Sequence, residues 1–176
     1  TLPRRLGVLM KQLGVPVVTV ITQGAFHRDP LYNMLQIRNV KVSAHVNCIA
    51  TAEEVKEKSV EELDALLAES FSFDNFAWQR DNKISIDVPF RADGLHRILY
   101  KCPHCGTENQ MEGKGIHLTC HACNKQWTMD EYGQLFAEGA DTEYSHIPDW
   151  YRWQRECVRK ELEEGTYVLD EDVNIA

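Results

Sequence analysis

The chain has 176 residues, 43% of them hydrophobic, with 19 Lys plus Arg against 27 Asp plus Glu and a formal net charge of −8. That length allows one domain or two small ones with a real core, and no apolar run approaches the ~18–20 residues that a membrane-spanning helix needs. Residues 1–50 hold six basic and one acidic side chain and residues 130–176 four and thirteen, so only the N-terminal quarter invites an anionic partner such as a phosphate or an anionic lipid surface. No secretory signal pattern opens the sequence. Its first residue is Thr1 rather than Met, and a piece of a longer, cytoplasmic polypeptide is expected.

Leu6, Leu9, Met10 and Leu13 recur at helical spacing and stop at Gly14. Pro16 follows, then the β-branched run "VVTVI", which reads as a buried strand of a parallel α/β sheet. "GAFHRDPLYNMLQIRN" reads as a loop or short helix of crossover length, and "VKVSAHVNCI" alternates as the next strand. The expectation is two neighbouring parallel strands, Val17–Ile21 and Val40–Val46, covered by helices, with the first buried on both faces. His27 and Asp29 form a candidate polar dyad in the loop between them, although no nucleophile accompanies them. Cys48 and Cys157 read as ordinary core thiols.

Thr51-x-x-Glu54 and Ser59-x-x-Glu62 are capping boxes. They open a short helix and a long one, the latter expected from Val60 to about Arg80. A short strand is expected around Lys83–Val88 and a domain boundary near Gly94. Three segments result: residues 1–94, residues 95–130, and residues 131–176. The last contains a polar loop, a helix with Pro148 near its start and Gly165 at its end, and a final strand. Trp150, Trp153 and Cys157 share one face of that helix. The face suits packing against the rest of the protein better than an interfacial membrane role, because the segment is acidic.

Between Tyr100 and Trp127 lie four of the six cysteines, as the pairs Cys102/Cys105 and Cys120/Cys123. Cys-x-x-Cys lets two sulfurs on one tight turn reach one ion, and four thiolates close a tetrahedral zinc shell. Gly106 and Asn124 follow the second cysteine of each pair and suit a left-handed backbone. Lys114-Gly115 suits a hairpin turn, "IHLTC" a strand, and Trp127 an aromatic cover. The alternative is a redox dithiol, against which the paired ribbon spacing argues. His104, His117 and His121 read as surface residues. Four cysteines leave no open position for water or substrate, so a structural Zn2+ is expected. Lys101, Lys114 and Lys125 are too few for phosphate neutralisation, and no nucleic-acid partner is expected.

The stretch "LGVLMKQLGVPVVTVITQGAF" resembles the segment after the phosphate-binding motif in the 1-acyl-glycerol-3-phosphate acyltransferase (lysophospholipid acyltransferase) family. In that family a helix leads into a strand of pattern Val-Pro-hydrophobic-hydrophobic-Pro-Val. Here it reads Val15-Pro16-Val17-Val18-Thr19-Val20, with Thr19 in place of the second proline. "KVSAHVNCIATAEEVKEKSVEELDALL" is similar to the family's later strand and C-terminal helix. The resemblance covers roughly residues 1–80, and the cysteine module is an addition to the family pattern.

The resemblance implies an α/β fold: a partial acyltransferase-type sheet with helices, followed by a small four-cysteine zinc ribbon and a C-terminal helix. It implies acyl transfer from a thioester donor to a lysophospholipid or related hydroxyl, with peripheral contact on the inner face of the membrane. Arg4 and Arg5 would then line an anionic acceptor site, and Pro16, Val17 and Val18 the acyl-donor side. The alternatives are a solvated helix start and a plain core strand. The family's His-x4-Asp motif, in which the histidine takes the acceptor hydroxyl's proton, matches none of the seven histidines. Its Phe-Pro-Glu-Gly motif is also absent, and both are expected upstream of this sequence. The competing function is a zinc-ribbon adaptor on a non-catalytic α/β scaffold.

Overall fold

The computed structural model describes residues 5–168. Two packing units follow one another along the chain. In the first, α1 (Leu6–Leu13) leads into β1 (Val17–Gln23), and after a 19-residue excursion (24–42) the chain returns as β2 (Ser43–Ala50). The excursion holds α2 (Ala25–Arg28) and a 3-10 turn at Leu31–Asn33; after β2 come α3 (Ala52–Glu57) and α4 (Val60–Ser70). In the second unit α5 (Asn75–Asp81) precedes a 3-10 turn at Leu95–Arg97, and four short strands follow: β3 (Met111–Lys114), β4 (His117–Cys120), β5 (Gln126–Met129) and β6 (Leu135–Ala137). The unit ends with α6 (Ile147–Glu164).

The parallel strand pair is not found. β1 and β2 are antiparallel, with Val18 opposite Cys48 and Val20 opposite Val46. A parallel return takes a crossover of about a dozen residues or more, usually built as a helix that packs on the sheet. The excursion contains only the four residues of α2 and one 3-10 turn, so the chain turns back on itself. The second strand also starts three residues later than expected.

Burial of β1 on both faces is overturned too. Helices cover one face only. Met10 of α1, Val55 of α3, and Leu63 and Leu67 of α4 pack there with Ala50 of β2. Thr19 points inward and shares a 2.8 Å hydrogen bond with Ser70. Val18 and Val20 point outward, 53% and 56% exposed. Cys48 lies exposed on β2, not in a core, while Cys157 is half-buried on α6.

Local chemistry explains the helices. Both capping boxes form, at Thr51/Glu54 and at Ser59/Glu62. Lys11 donates to the Lys56 and Lys58 carbonyls at 2.7 and 2.6 Å, closing the end of α3. α1 and α4 approach closely because a Cβ at Gly7 would collide with the Val60 carbonyl. The Gly7 amide donates to Asp64 Oδ1 at 2.6 Å.

The single long helix from Val60 to Arg80 is in fact two. Asp74 accepts from the Ala77 amide at 2.9 Å and starts α5 as an N-cap. The Ser72 hydroxyl donates to the Glu69 carbonyl at 2.6 Å as α4 ends. Such short polar side chains compete with helix continuation. No strand forms over Lys83–Val88; the Ile84 amide donates to the Gln79 carbonyl and the Ile86 amide to the Glu131 carbonyl, with no partner strand alongside. Conversely, the loop expected after Met129 contains β6, which pairs with β5.

β3, β4, β5 and β6 form one antiparallel sheet in sequence order. Its core draws on the whole second unit and beyond: Leu118 and Trp127 from the sheet, Leu95 and Leu99 from the segment before it, Ile147 and Trp150 from α6, and also Phe76 of α5 and Tyr32 of the excursion. Ala92 and Leu95, on either side of Gly94, are both fully buried in this one cluster. Packing is therefore continuous across residue 94. Trp150 and Trp153 do turn toward the protein: Trp150 is buried, and Trp153 packs on Tyr144 with ring centres 5.8 Å apart. The strand expected at the C-terminus lies largely outside the described residues.

Burial decides which substitutions matter. Leu63 is fully buried, so Leu63→Ala is expected to cost roughly 2–5 kcal/mol of stability. Val18→Asp, on the open face of β1, is expected to change it by no more than about 0.5 kcal/mol. Urea unfolding of both variants checks the assignment; a large loss from Val18→Asp would mean that the outer face is covered.

Candidate metal centre

Two similar tight turns build the site. In the first, the Cys102 amide donates to the Thr107 carbonyl at 2.9 Å and the Gly106 amide to the Cys102 carbonyl at 2.9 Å. In the second, the Cys120 amide donates to the Lys125 carbonyl at 2.9 Å and the Asn124 amide to the Cys120 carbonyl at 2.8 Å. Gly106 (φ 76°) and Asn124 (φ 59°) take the left-handed conformation that closes each turn. The first turn precedes β3 and the second links β4 to β5, so the antiparallel sheet brings the two together.

All four sulfurs lie within 4.8 Å of one another and could hold a metal ion. Cys102–Cys123 and Cys105–Cys120 are each 3.8 Å apart. That is well beyond a disulfide bond, and all the cysteines are free. Cys102 and Cys120 are buried, Cys123 is half-buried and Cys105 is exposed. Burial pushes the Cys102 and Cys123 thiols up. The Thr107 hydroxyl and amide pull Cys105 down to about 6. A cation held here would need the four sulfurs deprotonated, so its binding would release protons.

The surroundings are held from outside the cysteine module. Trp150 of α6 donates its indole N–H to the Lys101 carbonyl at 2.9 Å, directly before Cys102. Its ring meets Trp127 edge-on, 5.0 Å between centres. Gln154 donates to the Ile98 carbonyl at 2.6 Å, and Lys101 pairs with Glu161 at 3.0 Å and Glu108 at 3.1 Å. Three histidines flank the site but partner surface carboxylates: His104 with Glu143, His117 with Glu138, and His121 with Glu112. Lys125 pairs with Glu143 at 2.7 Å.

The residues assigned to acyl-transfer substrates lie in the first unit. Arg4 is outside the described residues. Arg5 is exposed and left-handed (φ 66°) immediately before α1. Pro16, Val17 and Val18 lie together on an apolar groove of about 270 Å³, walled by Leu6, Leu9 and Leu13 of α1 and by Leu67 of α4.

The His27–Asp29 dyad does not form. His27 is buried, its Nε2 2.8 Å from the Asn75 carbonyl, and its ring lies between Phe76 and Trp78, while Asp29 is exposed. The close histidine–aspartate pair is instead His146–Asp74, 2.8 Å apart. Seventy-two residues separate the two, so no local pattern announces it. Burial alone would raise the Asp74 carboxyl, but the Ala77 amide and His146 outweigh it and hold it below its usual range. The pair joins the starts of α5 and α6.

Comparison with family models, with curated proteins and with solved structures finds no match to this chain.

The burial of His27 has a measurable consequence. Burial, opposed by the Asn75 bond, lowers its pKa below the ordinary value. A histidine whose folded pKa is depressed binds its proton more readily when unfolded. Its neutral form therefore supports the fold above about pH 6.5, and that support is lost as the pH falls toward the folded value. Urea midpoints measured from about pH 7.5 down to 5.5 are expected to fall, and His27→Gln to reduce that fall. Equal slopes in the two proteins would contradict the assignment.

Proposed function

We propose that the cysteine centre holds one structural Zn2+, and that the chain is the C-terminal portion of a lysophospholipid-type acyltransferase carrying this zinc ribbon. The observation that carries the metal assignment is the pair of 3.8 Å sulfur separations. Zinc bonds thiolate at ~2.3 Å, and a tetrahedron built on that bond has edges of ~3.8 Å. Four thiols fill the shell, so the ion has no position for substrate and its role is structural. What the residues supply is a set of four sulfurs on two preformed turns; zinc, when bound, supplies the charge that keeps all four deprotonated together.

The acyl-transfer reading rests on the resemblance of residues 1–80, and the groove beside Pro16, Val17 and Val18 is compatible with it. The residues that line it are all apolar, which suits part of an acyl chain. It falls below the ~300–1,000 Å³ of pockets that hold a whole drug-sized ligand. Among the described residues, the close histidine–aspartate contact is His146–Asp74, and there Asp74 is already committed as a helix cap. On this reading the proton-abstracting histidine belongs to another part of the same enzyme. The reading names no nucleic-acid partner.

Chain purified without chelator is expected to carry close to one zinc per molecule by elemental analysis, and Cys120→Ser to lose it. Because Trp150 braces the Lys101 carbonyl beside the site, stripping the metal is expected to lower hydrogen-exchange protection of α6 together with that of the sheet. Zinc-free protein with unchanged protection would overturn the structural role. Acyl transfer from acyl-CoA or acyl carrier protein to lysophosphatidic acid is expected from the full natural polypeptide and not from this chain alone. A full polypeptide that fails to acylate would favour the adaptor reading.

A further inference from the structure

β2 is open to solvent along most of its length. Residues 41–48 are all exposed, whereas β1 alternates between exposed and covered positions. β2 pairs with β1 along one edge, and among the described residues no backbone hydrogen bond of residues 43–48 runs to anything else. Its second edge is therefore a row of unpaired amides and carbonyls, a template for another strand.

Proteins blunt such edges with short strands, charges, prolines, bulges or a covering loop. β2 makes little use of these devices. It is eight residues long, and between Lys41 and Glu53 there is no Pro, Lys, Arg, Asp or Glu. The irregularity in its pairing lies near its end, where Val17 faces Ala50, Val18 faces Cys48 and Ile49 is the extra residue. Residues 43–48 pair regularly with β1.

Charge points to the occupant. The first charged residues beyond the two ends of β2 are Lys41 and Glu53, both exposed and opposite in sign. An antiparallel second copy of β2 reverses that order and brings each toward its opposite. For β1 the corresponding residues are Lys11 and Arg28, both basic, so its self-pairing has no such match.

Side-chain direction sets the register. Residues directly opposite one another in an antiparallel pair share a face, so a two-fold axis perpendicular to the sheet passes between two identical residues. An axis at Val46 keeps the ladder within the regular stretch. Ala44 then faces Cys48 of the second copy, His45 faces its Asn47, and Lys41 comes opposite its Thr51, close to its Glu53. Val20 stands opposite Val46 within each hairpin, so the outer face gains one continuous row, Val20–Val46–Val46–Val20. Val46 is 68% exposed and acquires a cross-strand neighbour on the side where it has none.

We propose that β2 pairs edge to edge with β2 of a second copy of this chain, antiparallel about a two-fold axis at Val46. Two hairpins then become one four-stranded sheet, whereas a two-stranded sheet is marginal by itself. So short a ladder makes a small interface, and the dimer is weak and reversible. Exposure, backbone pairing and charge carry this pairing, independently of the acyl-transfer reading.

Sedimentation equilibrium of the full chain with zinc supplied, from micromolar to near-millimolar concentration, tests it. A monomer–dimer equilibrium is expected. Lys41→Glu is expected to weaken association roughly fivefold or more, and Glu53→Lys in the same chain to restore it, because the exchanged charges match again across the axis. Val46→Lys, which places a lysine on the edge, is expected to leave the chain monomeric. As the concentration rises, hydrogen exchange is expected to slow within residues 43–48 and not in the other elements. A chain that stays monomeric at the highest concentration would overturn the proposal. So would a dimer indifferent to Val46→Lys, a double charge exchange that restores nothing, or concentration-dependent protection that falls outside β2.

Discussion

The burial of Cys102 and Cys120 beside Trp127 and Trp150 is the constraint on which the second half of the molecule depends. These two sulfurs belong to the hydrophobic core and to the metal centre at once. A four-stranded sheet of three- and four-residue strands buries too little to stand alone. It is completed on one side by α6, through Trp150 and Ile147, and on another by the segment 92–99. Polar bonds secure the same joints: Trp150 to the Lys101 carbonyl, Gln154 to the Ile98 carbonyl, and Lys101 to Glu161. Four cysteine sulfurs packed this closely could hold a cation, and two of them are also core residues, so the cluster and the core depend on one another.

The first unit is organised differently. Two strands with helices on one face leave the other face open, so the aliphatic residues of β1 are divided between core and solvent. Thr19, the one polar position among valines at the strand's centre, goes inward because Ser70 is there to share its hydroxyl bond. The excursion 24–42 connects this unit to the second core. Tyr32 packs beside the sheet, and His27 is enclosed by Phe76 and Trp78. Asp74 and His146 close the same joint from α5 and α6. The two units are therefore linked by buried side chains as well as by chain connectivity.

What could be read directly from the amino-acid sequence is what depends on neighbours a few residues apart. The two Cys-x-x-Cys turns with Gly106 and Asn124, the hairpin at Gly115, both capping boxes, α1 with its Gly14 stop, and α6 between Pro148 and Gly165 all follow from local hydrogen bonds and backbone preference. Asp74 as the start of α5 belongs with them: an aspartate between Phe73 and Asn75 is a cap signal, and the apolar spacing from Leu63 to Trp78 concealed it.

Pairing, facing and long-range contact were decided only in three dimensions. An apolar run such as "VVTVI" does not specify whether its partner runs parallel or antiparallel, because that depends on the length and shape of the connection. Nor does it specify whether one face or two will be covered. β6 is three residues long in a polar stretch and exists because β5 offers it an edge. The His146–Asp74 contact and the seating of Tyr32 and Phe76 beside the cysteine sheet link residues far apart in the chain. The sequence thus determined the local turns, the two cysteine turns among them, where the forces act over a few bonds. The tertiary structure decided which surfaces those elements bury and which they leave open, because burial is settled among all elements together.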